Sequence, residues 1–447
     1  MQKNDIFRLK AEKLGAEMEG ICRLNGIPVF VPGLLPGEET EIRIVRAEKR
    51  YAFGRMEAPP EVSSPDRRDP GCPVFPRCGG CTCRHMRYEA SLEGKRQQVL
   101  DCFERIGGIS VDVPLVLGME HPHAYRNKTS LPCGGTADAP VLGFYAPRSH
   151  TVIPAAACPN AMAPAGEIAE SFLSWMRRFR IEPYHEETHT GLIRHLVIRI
   201  NREGESMVTV AVNGRQLPHA DELAGALKPL KVVSLFLNEN TARTNVILSS
   251  FFHLIYGRET LPDTLCGLRF ELSPDAFFQV NPVQTEKLYD TALRFADLQP
   301  DETVCDVYCG AGTITLAAAS RCASAVGIEI VPAAVENARL NAKRNKTANA
   351  VFHTGPAEVL LPQLVRAGLR CSAVLVDPPR KGLEPAVIHA IAEAGPSRVV
   401  YVSCNVATQA RDASLFRNAG YGVAKVQPVD MFCWTSGIEN VCLFVKK

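Results

Sequence analysis

The sequence predicts an α/β protein: a doubly wound, mostly parallel sheet in its C-terminal part, a mainly β middle region and a small N-terminal β-barrel. Three observations carry this. From about residue 277, short apolar runs alternate with helical segments, the pattern of strands joined by crossover helices. Within residues 7–57 several strands are crowded between the turn signals Asn25-Gly26, Pro32-Gly33 and Pro36-Gly37, as in barrels of OB type. Between the two, runs such as HLVIRI, SMVTVAV and VVSLFL alternate with turns. The expected units are residues 1–58, 59–276 and 277–447.

Composition sets the outer limits. The chain has 447 residues, 46% hydrophobic and 22% charged, enough to bury a real core over two to four domains. It has no apolar run of about 18 residues to span a bilayer, and MQKNDIFRLKAEKLG lacks the apolar region of a secretory signal. A cytoplasmic protein without a membrane partner is expected. The net charge of +2 does not announce a nucleic-acid binder. Arg43, Arg46, Lys49, Arg50 and Arg55 stand against one acid, Glu48, in residues 43–55. Such a short basic patch fits RNA, and it fits a solvated strand and turn as well.

After the barrel, residues 58–71 (APPEVSSPDRRDPG) read as a linker. A cysteine cluster follows: Cys72, Cys78 and Cys81, with Cys83 close by. Sixteen cysteines in a long chain without an export signal speak for reduced thiols, a metal site or catalysis. Cys22, Cys102, Cys133, Cys266, Cys322, Cys371 and Cys442 read as small core residues. The cluster itself allows zinc or iron–sulfur, since both accept four thiolates. A helix is expected from Tyr88 to Ile106, stopped by Gly107-Gly108, and another near 164–179.

In the C-terminal part, strands are expected at Val304–Val307, Ala325–Ile328, Ala373–Val376 and Val399–Val402, with helices at 313–321, 332–345 and 384–394. The first strand runs into Gly310-Ala311-Gly312, a turn that lets backbone approach a ligand. Glu329 ends the next strand, where a carboxylate can accept from two ribose hydroxyls. Thr315 stands where a dinucleotide fingerprint has its third glycine, which weakens NAD or FAD and leaves a nucleoside cofactor; with the motifs that follow, S-adenosylmethionine is expected.

Asp377-Pro378-Pro379-Arg380 and Ser403-Cys404-Asn405 both end strands at the carboxyl edge of the sheet, where such sheets bind ligands. A thiol there suits one chemistry. Carbon 5 of uracil is a poor nucleophile. A thiolate adding to carbon 6 makes the ring an enolate, and carbon 5 can then attack a sulfonium methyl. A base must afterwards remove the carbon 5 proton. This calls for a thiol of lowered pKa and a separate carboxylate. Glu439, ahead of the apolar run Val441–Val445, is the candidate base. A cytosine enzyme would be expected to carry a second cysteine beside Pro378, and none is there. A non-catalytic RNA-binding protein would not need Cys404 and Glu439.

The segments DVYCGAGTITL, VDPPRKGL, YVSCN and DMFCWTSGIENVCLF resemble the RNA uracil-5 methyltransferase family, and the resemblance covers nearly the whole chain. It implies a class I methyltransferase sheet, an N-terminal barrel similar to a TRAM domain and a central iron–sulfur domain, with helix 84–108 packed on the catalytic domain. It implies Cys404 as nucleophile and Glu439 as base. Gln279, Tyr308, Gly310, Gly312, Thr313, Glu329 and Asp377 match the S-adenosylmethionine and active-site positions. Cys72, Cys78 and Cys81 match ligands of a 4Fe–4S cluster, with Cys158 as the fourth in preference to Cys83. The implied partner is RNA, by analogy 23S ribosomal RNA, with the transfer RNA T-loop as the alternative, and the protein is expected to be a monomer. Two departures stand out. Trp434 and Gly437 lie where the family often has histidines, and Pro356 replaces an acid or amide.

Overall fold

A computed structural model covers residues 1–447. The chain opens with a closed barrel of β1 (Ile6–Leu14), β2 (Gly20–Leu24), β3 (Ile27–Val31), β4 (Glu39–Ala47) and β5 (Ala52–Met56), in the order β1-β2-β3-β5-β4. Alternation builds it: Thr40, Ile42 and Ile44 of β4 point inward while Glu39 and Glu41 face water. The basic patch is mostly neutralised. Arg43 and Arg55 pair with Glu57 and Arg46 with Glu48, so Lys49 and Arg50 alone lack an acidic partner.

Residues 58–71 are anchored rather than free. Glu38 is fully buried, and Arg67 grips its carboxylate with two donors at 2.6 Å while the Ser64 amide donates at 3.0 Å. A buried carboxylate must be paired, and the sequence gives no sign that its partner lies in this stretch. Helix α1 (Tyr88–Arg105) then leads to the middle region.

There β6 (Lys128–Gly135), β7 (Pro140–Tyr145), β8 (Val152–Pro154), α2 (Ala165–Phe179), β9 (Ile193–Ile200), β10 (Ser206–Val212), α3 (Ala220–Leu227), β11 (Val232–Glu239) and β12 (Phe252–Gly257) form one seven-stranded sheet, ordered β12-β11-β10-β9-β6-β7-β8. Helices α2 and α3 pack their apolar faces, Phe172, Met176 and Leu223 among them, onto it. Strands β9 and β10 are buried along their whole length. The hairpin of β13 (Leu261–Leu265) and β14 (Leu268–Leu272) comes next. Its Leu265, Phe270 and Leu272 pack into the C-terminal core. Leu261 packs instead with Met207 and Phe236 of the middle sheet, so the hairpin bridges the two regions, because a two-stranded hairpin cannot bury its own apolar face.

The C-terminal part contains α4 (Pro282–Ala296), β15 (Thr303–Val307), α5 (Thr313–Ala319), β16 (Ser324–Glu329), α6 (Pro332–Arg344), β17 (Ala350–Thr354), α7 (Ala357–Arg366), β18 (Ala373–Val376), α8 (Pro385–Ala394), β19 (Arg398–Ser403), α9 (Val406–Asn418), β20 (Tyr421–Val429) and β21 (Glu439–Lys446). The strands form a second seven-stranded sheet, β17-β16-β15-β18-β19-β21-β20, in which only β21 runs against the rest. Residues of α4, α5 and α6 fill one face. Residues of α7, α8 and α9 fill the other, joined by Val99 and Phe103 of α1. Strand order reverses between β15 and β18, and a crevice at the carboxyl ends is the physical consequence. No helix is long and apolar enough to cross a membrane.

Candidate active site

A cavity of about 940 Å³ opens at this reversal point. Gln279, Tyr308, Gly310, Thr313, Glu329 and Asp377 all line it. Gly312 does not; it caps α5 at φ +81°, and a Cβ there would meet the Phe352 ring at 3.0 Å. Its role is to let the turn close. At Gly310 (φ +54°) an added Cβ would meet nothing within 4 Å, so the backbone is left open to a ligand. The Glu329 carboxylate takes hydrogen bonds from the amides of Gly310 (3.1 Å) and Val331 (2.9 Å), which fixes it at the cavity wall with lone pairs to spare. Pro356 and Ala357 line the same cavity. Helix α7 starts at Ala357 without a side-chain cap, so its first amides are free to serve a ligand.

Cys404 and Glu439 stand beside the cavity, past Asp377. Strands β19 and β21 pair antiparallel, Ser403 opposite Asn440. One step further along that register, Cys404 falls opposite Glu439. Two amides lock the junction. Gln409 of α9 donates to the carbonyls of Tyr401 (2.8 Å) and Asn440 (3.2 Å), and the Asn440 amide donates back to Gln409 at 2.7 Å. Asn405 caps α9 through the amides of Ala407 and Thr408 and donates to the Arg380 carbonyl at 3.0 Å. That bond holds the Pro-Pro-Arg loop beside Cys404.

Electrostatics make this a strongly acidic site. Burial pushes Glu439 well above the usual carboxylate range and the charge of Asp377 adds to it, with Arg380 acting the other way. Burial also raises Asp377. Asp306, under the glycine turn, is pushed up to about 7 by burial, and one of its carboxylate oxygens has no partner. The Cys404 thiol is raised, by burial first and then by Glu439 and Asp377, while Arg380 pulls it down. The lowered pKa expected of a nucleophile is thus not a property of the free protein, because burial and two carboxyl groups raise the thiol and one guanidinium opposes them. A cation bound beside Asp377 would relieve all of these groups together. Glycine-turn backbone, a diol-accepting carboxylate and an uncompensated acidic wall fit a nucleoside that carries a sulfonium.

A second cavity, of about 780 Å³, is lined by Cys72, Cys78, Cys81 and Cys158 together. The thiols border it without converging: no three His, Cys, Asp or Glu side chains are close enough to hold a metal ion. Cys83 is turned away, buried among Met18, Leu35 and Met86, with its thiol on the Thr435 carbonyl. The Asn160 amide donates to Cys81 Sγ at 3.4 Å. Four thiols thus border one space, with one amide, that of Asn160, aimed at Cys81.

Sequence reasoning did not assign Arg380, Gln409, Asn440 or the wall residue Asp306. Arg380 and Asp306 lie inside the quoted motifs. Gln409 carries no local signal, since a glutamine in a helix reads as exposed.

The chain matches two family models, one described as tRNA (Uracil-5-)-methyltransferase over residues 251–447 and one as TRAM domain over residues 2–56. It is 40% identical over 446 residues to an uncharacterized RNA methyltransferase of Clostridium tetani, covering 99% of this chain and 97% of that one. A protein of the same description from Halalkalibacterium halodurans is 41% identical over 451 residues, with 100% and 98% covered. Among solved structures, the tRNA (uracil-54, C5)-methyltransferase of Pyrococcus abyssi in complex with S-adenosyl-L-homocysteine superposes with a TM-score of 0.78 at 25% identity, over 98% of this chain and 100% of that one.

Proposed function

The chain belongs to the S-adenosylmethionine-dependent RNA uracil-5 methyltransferases, and from that premise we propose that Cys404 is its nucleophile, Glu439 its base and 23S ribosomal RNA its substrate. The observation that supports the residue roles is the β19–β21 register, which ends at Ser403 opposite Asn440 and so brings Cys404 and Glu439 together beside Asp377.

S-adenosylmethionine supplies an electrophilic methyl group on a sulfonium. Glu329 would hold the ribose hydroxyls, the backbone at Gly310 would lie against the nucleoside, and Gln279, Tyr308, Thr313 and Asp377 line the rest of the wall. Cys404 Sγ, as thiolate, bonds to carbon 6 of a flipped-out uracil. Carbon 5 takes the methyl group, and S-adenosylhomocysteine is left. Glu439, ionised at this stage, removes the carbon 5 proton; the ring double bond re-forms and the carbon–sulfur bond breaks, returning the thiolate. Burial beside Asp377 gives Glu439 the basicity that this step needs. Cys72, Cys78, Cys81 and Cys158 would hold a 4Fe–4S cluster of structural role, since methyl transfer moves no electron. Anaerobic preparations are expected to contain iron and labile sulfide, and their absence would remove the cluster.

One observation favours a second substrate. The Pyrococcus neighbour, named for tRNA, matches along almost the entire chain. Mapping 5-methyluridine in both RNAs from cells lacking the gene separates the readings. The catalytic roles have their own test. Glu439→Gln should stall after methyl transfer and leave a denaturant-resistant protein–RNA adduct. Free methylated RNA released at the normal rate would assign the base elsewhere.

A further inference from the structure

Residues 430–438 join β20 to β21 and end on Glu439. Asn281 and Gln284 donate to the carbonyls of Met431 and Asp430, and Ser436 donates to Glu17, but the groups around Trp434 come from residues 68–125. Asp430 accepts from Lys95 at 2.5 Å and from the Tyr88 hydroxyl at 2.6 Å, and the Lys95 and Asp430 side chains are wholly buried. The Trp434 ring is buried. It packs against Tyr88 (centroids 5.2 Å apart) and stacks on His123 (5.4 Å). The guanidinium groups of Arg68 and Arg84 lie 5.1 and 5.5 Å from its centroid. Its Nε1 donates to the Pro122 carbonyl at 2.6 Å. Its own carbonyl accepts from the amides of Thr82 (2.9 Å) and Cys83 (3.2 Å). Trp434 adopts φ +67°, a conformation that a bulky residue holds only when its surroundings impose it.

This grip reaches the cysteine cavity. Arg84 donates to Asn160 at 2.7 Å, and Asn160 donates in turn to Cys81. It also reaches Glu439, which lies five residues after Trp434 and pairs with Val429 next to Asp430. The burial and neighbouring charges that shift Glu439 include no hydrogen bond to its carboxyl group. The start of β21 is then what aims that side chain.

We propose that Trp434 is a positioning residue for Glu439: the cysteine-bearing segment clamps the 430–438 loop through this ring and so fixes where the base meets the carbon 5 proton. The inference rests on Glu439 being the base. Addition of Cys404 and methyl transfer do not use Glu439, so loosening the clamp slows adduct breakdown alone. An ångström of misplacement is enough to matter, at about a hundredfold in rate.

The experiment uses the full-length protein, radiolabelled S-adenosylmethionine and unmodified total RNA, with denaturing gels to separate adduct from free methylated RNA. Trp434→Ala should lower turnover by about tenfold or more and accumulate the labelled adduct, with S-adenosylhomocysteine affinity unchanged. Arg68→Ala, at an exposed position, keeps the fold and should shift the same partition by about twofold or more. It decides the matter if Trp434→Ala is insoluble. Wild-type partition in the soluble variants, or lost turnover without adduct, overturns the proposal. Glu439→Gln runs alongside: adduct there but not in the clamp variants sinks this inference only, and adduct in none of them sinks the base role beneath it.

Discussion

Burial raises the pKa of the Cys404 thiol, Glu439 and Asp377 add to the rise, and Arg380 lowers it. The reactive form is the thiolate, so kcat/KM should climb as pH rises through neutrality into the alkaline range. Arg380→Met removes the one group that favours the thiolate, and the rising limb of the pH–rate profile should move to higher pH. An unmoved profile would mean that the guanidinium does not act on the thiol. At this scale the sequence was informative where chemistry leaves a residue in an odd place. A cysteine ending one strand and an aspartate ending another mark the sheet edge without any coordinates. The Gln409–Asn440 amide pair was invisible, because its meaning depends on a helix and a strand meeting 31 residues apart.

The glycine turn between β15 and α5 is the element on which the cofactor cavity depends. Gly312→Val puts a branched side chain at φ +81°, against the Phe352 ring. We expect a stability loss of about 1–3 kcal/mol and a loss of S-adenosylhomocysteine affinity, read by thermal unfolding and calorimetry on the same preparation. Wild-type affinity would mean that the turn is not part of the binding wall. The strands next to this turn were legible because β15, β16, β18 and β19 are short, buried and apolar. Their neighbours were not. Strand β17 is an edge strand with only Phe352 buried. Helix α7 contains Pro362, a residue that argues against a helix interior, and forms because Leu361 reaches the core. Segment 58–71 looked like a linker for a related reason: its ion pair with Glu38 spans 29 residues, beyond any local pattern.

Over the whole molecule, barrel, middle sheet and C-terminal sheet place an RNA-type module, a four-thiol cavity and a methyl-transfer site in one chain. The barrel's share is testable through Lys49 and Arg50, the two cations of its patch without an acidic partner. Replacing both with alanine should weaken RNA binding and flatten its salt dependence by about one to two log units per log of salt, with S-adenosylhomocysteine affinity unchanged. An unchanged slope would place the RNA on another face. Architecture was readable at this scale because periodicity and motif order report on it; which RNA is bound depends on surface shape, which no periodicity encodes. Cys404 is proposed to drive methylation of uridine carbon 5. The most direct test of that role is nucleoside analysis of RNA treated with S-adenosylmethionine carrying a deuterated methyl group, by wild type and by Cys404→Ala. The label should appear in 5-methyluridine with the wild type and vanish with the variant, which still binds S-adenosylhomocysteine. Label in another nucleoside, or 5-methyluridine formed at the wild-type rate without Cys404, would contradict it.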